Sequence, residues 1–156
     1  VLDMGRDLEV FYPLAKLLFP ERDNSVQPFY KSQIKLINNR IHVCEKIDSS
    51  KTLQTAGFLI SANNHYTVSI FNGTHYVWID QFKDKKTLTP EQMFKEISKM
   101  APNTSFNFIF DPEKGDSKHP DPAKWTIPGW ERNNCFIAAS LILLALVHYQ
   151  SKQNAS

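Results

Sequence analysis

Apolar residues at the start of the chain recur with the period of an α-helix. They lie three or four positions apart within Asp7–Leu18, and Pro20 follows as a stop signal. A second helix is predicted over Pro28–Asn39, with Phe29, Ile34 and Ile37 facing inward. The first third of the chain is therefore expected to be helical.

The pattern then changes to short runs of β-branched and aromatic residues separated by turn residues, which is typical of strands. These runs predict strands over Arg40–Ile47, Phe58–Ser61, His65–Phe71, Tyr76–Phe82 and Phe106–Phe110. Asn72-Gly73 is a strong hairpin signal, because both residues tolerate positive φ. Thr89-Pro90 indicates the start of a helix that reaches about Met100.

The last element predicted is a helix over Cys135–Tyr149, which is apolar on nearly all faces. The rest of the fold is expected to wrap around it. Before it, 111–129 is rich in proline, charged residues and glycine, as expected of an extended surface connection. Helices and antiparallel strands in a chain of 156 residues predict one α+β domain over 1–156.

Composition excludes several classes of function. A net charge of +2 with scattered lysines argues against a nucleic-acid partner. Two distant cysteines provide neither a disulfide framework nor a four-ligand zinc site, so no metal or cofactor is expected and the compartment is taken as reducing. Phe136–Val147 is shorter than the roughly 20 residues that span a bilayer. The N-terminus lacks a signal-peptide pattern, so a cytoplasmic location without membrane insertion is expected.

Cys135 stands where the polar Asn133-Asn134 pair meets this apolar helix. A thiol at a helix N-terminus faces unpaired backbone N–H groups and the positive end of the helix dipole, and both favour the nucleophilic thiolate. Cysteine is also common as a small buried residue. Cys44, within a predicted strand, fits that inert role better. Cys135 is therefore the candidate nucleophile.

His65 is the best of five histidines as the base. In a hairpin centred on Asn72-Gly73, residues whose numbers sum to about 145 face each other, so His65 should meet Asp80. Their side chains are then expected to lie on one face and within reach. A His–Asp pair of this kind is more often structural than catalytic, but its occurrence beside a candidate nucleophile favours catalysis.

The remaining components of a thiol active site are donors for the oxyanion and groups that bind substrate. The Cys135 N–H is one donor, and the Trp130 indole N–H is a second, although most tryptophans serve packing. Ser61–Asn64 is a candidate cleft-lining loop. The residues predicted to contact substrate are Asn63, Asn64, Asn133 and Asn134.

Two segments resemble viral cysteine proteases. Trp130–Ala138 resembles the nucleophile motif of the coronavirus papain-like proteases, in which a tryptophan five residues before the cysteine serves the oxyanion. Gly57–Asp80 is similar to the leader proteases of foot-and-mouth-disease-type picornaviruses, with the same His-to-Asp spacing. The resemblance covers about half of the chain. It implies that Cys135 is the nucleophile, His65 the base, Asp80 the orienting acid and Trp130 an oxyanion donor.

The order of the segments differs from those families, in which the cysteine helix precedes the histidine strands. A circular permutation explains the reversal. The coronavirus enzymes also carry a four-cysteine zinc finger, for which this chain has no cysteines. The resemblance thus implies a permuted, zinc-free, papain-like α+β fold with the nucleophile helix at its C-terminal end. It would comprise a helical region over 1–40, a sheet region over 41–111, a crossover over 112–129 and the nucleophile helix over 130–150.

The function expected from this resemblance is that of a viral cysteine endopeptidase, as in a torovirus-like nidovirus. It would cleave a polyprotein in the host cytoplasm and remove ubiquitin or ubiquitin-like modifiers. One alternative is a non-catalytic protein-binding domain that keeps a papain-like fold with an idle thiol. Another is a eukaryotic permuted thiol peptidase, which would change the host and keep the chemistry.

Overall fold

The structure is a computed structural model of the 156-residue chain. It describes residues 28–44, 51–63, 65–80, 85–110, 119–126 and 135–154. Within them, strands run over β1 Ile34–Ile37, β2 Arg40–Cys44, β3 Thr52–Ala62, β4 His65–Phe71, β5 Tyr76–Ile79, β6 Lys86–Leu88 and β7 Ser105–Phe110. The helices are α1 Pro90–Lys99 and α2 Cys135–Asn154, with short 3-10 turns at Lys31–Gln33 and Pro122–Lys124.

The strands form one antiparallel sheet in the order β1-β2-β3-β4-β5-β6, and β7 pairs with β3. The long strand β3 organises this sheet. Its first residues, from Thr52 to Gln54, pair with β2, whereas its later residues pair with both β4 and β7. The described residues therefore form a mixed α+β fold with a mostly antiparallel sheet, which confirms the predicted class at that level.

The β4–β5 hairpin is closed by a turn that its own asparagine stabilises. Asn72 Oδ1 accepts hydrogen bonds from the backbone N–H of Thr74 and of His75, and Gly73 adopts φ 111°. The turn is therefore centred on Gly73-Thr74, and paired residues have numbers that sum to 147, as in Phe71 opposite Tyr76. The predicted register, with a sum of about 145, is wrong by two residues.

Helix α1 follows from local sequence signals. The hydroxyl of Thr89 accepts the backbone N–H of Gln92, and the Gln92 side chain accepts the N–H of Thr89, which is a capping box. Pro90 occupies the first turn, where its missing N–H costs nothing. The helix buries Met93 and Ile97, and its end at Lys99 agrees with the predicted limit near Met100.

The two helices are associated with different hydrophobic clusters. The cluster that includes α2 side chains is largely aliphatic and comprises Ala56, Leu59, Tyr66, Val68, Ile70, Val77, Ile79, Ala139, Ile142, Leu143 and Leu146. The cluster that includes Met93 and Ile97 of α1 is rich in aromatic residues. It also contains Phe29, Ile34, Ile41, Val43, Phe58, Ile60, Phe71, Tyr76, Phe106 and Phe108. Because neighbouring residues of a strand point to opposite faces, these clusters define an α2 face and an α1 face of the sheet.

Helix α2 lies close to the sheet at Gly57. A Cβ added there would come 2.7 Å from a methyl group of Leu146, and it would also crowd the backbone oxygen of Ser69 at 3.2 Å. The absence of a side chain at this position thus permits the close approach of helix and sheet. The shared hydrophobic cluster shows that this helix packs against the β4–β5 hairpin.

The predicted second helix over Pro28–Asn39 is wrong. That segment forms a 3-10 turn and β1, and Phe29 makes an antiparallel bridge to Phe106 instead of a helical contact. Asn38 and Asn39 both adopt positive φ, at 50° and 58°, and join β1 to β2. The described end of the predicted helical region over 1–40 thus belongs to the sheet. The predicted helix over Asp7–Leu18 lies outside the described residues.

The predicted connection 112–129 is described only over 119–126, where it contains a 3-10 turn. Lys85 Nζ donates hydrogen bonds to the backbone oxygens of Ala123 and Trp125, which hold this turn beside the start of β6. The last helix continues to Asn154, beyond the predicted end at Tyr149. Its first described residue is Cys135.

Candidate active site

His65 and Asp80 form a hydrogen-bonded pair at one end of the β4–β5 hairpin. His65 is the first residue of β4, and Asp80 directly follows β5. Nε2 of His65 donates to Oδ1 of Asp80 at 2.9 Å, with side chains 28% and 19% exposed. The predicted proximity of the two residues is confirmed, and the pair remains within reach of solvent.

The pair is diagonal, not directly opposite. With paired numbers summing to 147, the position opposite Asp80 is that of Thr67, and His65 lies two residues before Thr67 on the same face of β4. Diagonal neighbours on adjacent strands are within reach of long and aromatic side chains. Because the predicted register was wrong by two residues, His65 and Asp80 are diagonal neighbours and not directly opposite each other, but their side chains still meet.

The turn that precedes β4 places His65 at the strand's beginning. Ala62 pairs with His65, and Asn63 in the turn adopts φ 51°, a conformation that asparagine tolerates better than most residues. Asn63 is exposed, as a predicted substrate contact would require. Ser61 and Ala62 belong to β3, so the predicted loop Ser61–Asn64 is shorter than expected.

The orientation of the imidazole decides which nitrogen could act as a base. Because Nε2 carries the proton that is donated to Asp80, a nucleophile would be activated through Nδ1 of His65. The carboxylate holds the ring in this tautomer and stabilises the imidazolium that forms when the base takes a proton. The pair thus has the components of a general base with an orienting acid.

Helix α2 runs from the His65 end of the hairpin toward its turn end. Near its C-terminal end, the hydroxyl of Tyr149 donates to the backbone oxygen of His119. The ring of His119 packs edge-on against Phe71 at 5.0 Å, and His119 also lies beside Gly73. The C-terminal half of α2 is therefore at the turn end of the hairpin, and the N-terminal half is at the opposite end.

The axial level of Cys135 follows from the regular rise of each element. Leu146 is next to Gly57, whose partner on β4 is Ile70. From Leu146 back to Cys135 a helix covers about 16 Å, and from Ile70 back to His65 a strand also covers about 16 Å. A helix that followed the direction of β4 would bring Cys135, the first described residue of α2, to about the level of His65.

His65 and helix α2 lie on different faces of the sheet. Tyr66 belongs to the cluster of α2, so alternation places His65 on the α1 face together with Thr67 and Ser69. A thiol at the start of α2 could meet the imidazole only around the end of β4. The side chain of Cys135 lies outside the described side chains, so the catalytic dyad stays a prediction.

The other predicted site residues are placed only in part. Trp130, Asn64, Asn133 and Asn134 lie outside the described residues. Cys44 is 2% exposed and belongs to the buried core, which agrees with the inert role predicted for it.

Sequence reasoning missed a second hydrogen bond across the hairpin. Trp78 Nε1 donates to Thr67 Oγ1 at 3.0 Å, and the ammonium of Lys86 lies 5.7 Å from the centre of the indole ring. Trp78 and Thr67 are each two positions from Asp80 and His65, respectively. The period of two along each strand was the signal that could have connected these four residues.

An apolar recess of about 400 Å³ lies beside α2. Its walls are formed by Trp125, Thr126, Leu141, Ile142 and Ala145. In the described portion of the chain, no group of three or more His, Cys, Asp or Glu side chains is arranged to hold a metal ion. No helix among the described residues has the length and apolar character to cross a membrane.

Comparison with protein-family models, with curated proteins and with solved structures finds no match to this chain. Function must therefore be argued from the geometry of the site and from the two motifs.

Proposed function

We propose that this protein is a cysteine peptidase with Cys135 as nucleophile, His65 as base and Asp80 as orienting acid. The observation that carries the proposal is the 2.9 Å hydrogen bond between His65 and Asp80. A cysteine nucleophile needs a general base, and a partly exposed imidazole that is oriented by a carboxylate can serve as one. The motif around Cys135 supplies the nucleophile by resemblance.

The proposed reaction proceeds in two stages. The Cys135 thiolate attacks the scissile carbonyl carbon, and the negative charge develops on the carbonyl oxygen. As the C–N bond breaks, the His65 imidazolium donates its proton to the leaving amine, and a thioester remains on Cys135. Water then attacks the thioester with His65 as base, which releases the acid product and restores the thiol. Trp130 and the Cys135 N–H are the proposed donors to the oxyanion.

The proposed substrates are polypeptides, namely a viral polyprotein and ubiquitin or ubiquitin-like proteins. This element of the proposal is supported by the resemblance to the coronavirus and picornavirus enzymes. The papain-like and permuted character of the fold and a cytoplasmic location of the reaction belong to the same proposal.

A ubiquitin probe with a C-terminal electrophile tests nucleophile and substrate class together. The wild-type protein and Cys44→Ala are expected to form a covalent adduct, whereas Cys135→Ala is expected to form none and to lose peptidase turnover. Cys44→Ala is the matched control because it removes the chain's other thiol. An adduct that persists in Cys135→Ala would overturn the nucleophile assignment. A peptide probe that reacts when the ubiquitin probe does not would restrict the proposal to peptide substrates.

A non-catalytic protein-binding domain is the second candidate, and the position of His65 on the α1 face favours it. The rate of iodoacetamide alkylation separates the two candidates. If the protein is a peptidase, iodoacetamide should modify Cys135 much faster than Cys44, and the rate at Cys135 should fall in His65→Ala. An alkylation rate at Cys135 equal to that of an ordinary exposed thiol and independent of His65 would favour the binding domain.

A further inference from the structure

We propose that Trp78 and Thr67 are positioning residues that hold the His65–Asp80 pair in its hydrogen-bonded geometry. This proposal rests on the proposed function for its catalytic meaning. It goes beyond the four site residues because neither Trp78 nor Thr67 belongs to the reacting groups.

The first observation is that two side-chain hydrogen bonds across this hairpin are of the same geometric kind. His65 bonds to Asp80, and Thr67 bonds to Trp78. The residue numbers sum to 145 in each pair, whereas directly opposite residues sum to 147. Each bond therefore spans the same diagonal, and the second lies one pleat nearer the turn than the first.

The second observation is the packing of the inner pair, in which Thr67 is buried and Trp78 is partly buried. Thr67 is 6% exposed, and Trp78 packs against the aromatic cluster of the α1 face. An indole that is anchored on both its apolar body and its N–H has few alternative rotamers. The inner bond thus joins a buried hydroxyl to a packed indole, whereas both side chains of the outer pair are partly exposed.

The coupling between the pairs is carried by the backbone of the hairpin. Trp78 and Asp80 are separated only by Ile79, which is 2% exposed in the α2-face cluster. A diagonal side-chain hydrogen bond restricts how far β4 and β5 can slide along each other or twist relative to each other. Loss of the inner bond releases that constraint immediately before Asp80, so the carboxylate should lose its alignment with Nε2 of His65.

The test uses two variants that each remove one half of the inner bond, of which only Thr67→Val keeps the volume of the side chain. Trp78→Phe deletes the N–H donor and keeps an aromatic ring, and Thr67→Val deletes the acceptor in an isosteric side chain. Thr67→Ser retains a hydroxyl and is the rescue variant. Ser69→Ala is the matched control, because Ser69 is a buried hydroxyl on the same face that donates to Met93 instead of Trp78.

The first readout is the ¹H–¹⁵N signal of the His65 ring, recorded on the full chain. The Nε2-bound proton should exchange with water at least several-fold faster in Trp78→Phe and in Thr67→Val than in the wild type. Its exchange should be unchanged in Thr67→Ser and Ser69→Ala. An unchanged His65 signal in Trp78→Phe and Thr67→Val, with both variants folded by circular dichroism, would overturn the proposal.

The second readout is peptidase kinetics. Because the proposed misalignment affects the reacting groups, kcat should fall by about tenfold in Trp78→Phe and in Thr67→Val, with KM unchanged. A rise in KM at constant kcat would show a binding role instead and would contradict positioning. If the wild type has no peptidase activity, the proposed function fails, and the ring signal still decides whether the inner bond positions His65. If Trp78→Phe does not fold, Thr67→Val alone decides.

Discussion

The two faces of the sheet use the same strands for different purposes. The face under α2 is lined largely by aliphatic side chains such as Leu59, Val68 and Ile70, and a largely apolar helix covers it. The face under α1 has an aromatic cluster in which the ring of Phe58 lies 5.4 Å from that of Phe108. It also bears the polar groups of the β4–β5 hairpin.

This difference shows how alternation along a strand assigns chemistry to one side. Along β4 the odd-numbered residues include His65, Thr67 and Ser69, whereas the even-numbered ones are apolar and serve the α2 cluster. Ser69 donates to Met93 of α1, which confirms the side on which the odd-numbered residues lie. The apolar residues of the α2 face thus form a hydrophobic core with the helix, and the polar residues of the α1 face form a candidate site.

Among variants that compare the two faces of the sheet, Asp80→Asn should have the largest effect, and it tests whether the polar end of the α1 face is catalytic. The amide cannot stabilise an imidazolium as a carboxylate does and can favour the wrong tautomer, so kcat should fall by about 10²- to 10⁴-fold. Steady-state peptidase kinetics measure this loss. Asp121→Asn, which changes an exposed acid far along the chain, should leave the rate unchanged. Near-normal turnover of Asp80→Asn would make the His65 pair structural.

A second prediction compares how much core packing on each face contributes to stability, through Leu143→Ala in α2 and Ile97→Ala in α1. Both residues are almost completely buried, at 0% and 1% exposure. Each truncation should lower the free energy of unfolding by about 2–5 kcal/mol, because it leaves a cavity in a packed cluster. Urea denaturation measures both.

The matched control for the α2 face is Leu141→Ala. Leu141 is on the same helix and is 51% exposed, so its truncation should change stability by less than about 0.5 kcal/mol. If Leu143→Ala were as mild as this control, α2 would not belong to the cooperative core, and the comparison of two packed faces would fail.

The smallest effect is expected from Tyr76→Phe, which removes a buried hydrogen bond within the aromatic cluster of the α1 face. The Tyr76 hydroxyl accepts the backbone N–H of Ile41 at 2.7 Å, and Tyr76 is 0% exposed. A buried N–H without its partner costs about 1–3 kcal/mol. Thermal unfolding should show this loss, whereas Tyr30→Phe at a side chain 43% exposed should show none. Equal stabilities of the two variants would mean that the bond contributes nothing net.

The elements predicted best are those specified by nearby residues. The Thr89-Pro90 signal marked the start of α1 correctly, and the structure adds a capping box between Thr89 and Gln92 at the same place. The bounds of β4 and the start of β7 near Phe106 were likewise visible as β-branched and aromatic runs between turn residues. Such signals need no information about distant regions of the chain.

The hairpin site was predictable for the same reason, and its error was also local. His65 and Asp80 are joined by a single turn, so their proximity depended on that turn alone. The Asn72 side chain accepts the N–H groups of Thr74 and His75, and this moved the centre of the turn by one residue. A shift of one residue at the turn changes the register by two, which preserves the face on which each side chain lies.

The sequence by itself therefore determined the local elements and the meeting of His65 with Asp80, whereas the tertiary structure decided what each face of the sheet contacts. The spacing of Ile34 and Ile37 is compatible with a helix, but both residues belong to β1, and the backbone of Phe29 pairs with Phe106 from a distant region of the chain. The position of α2 on the even-numbered face of β4 was equally invisible, because an apolar helix has no sequence mark for its partner. Local periodicity specifies which residues share a face, and only the packing of distant elements specifies what covers that face.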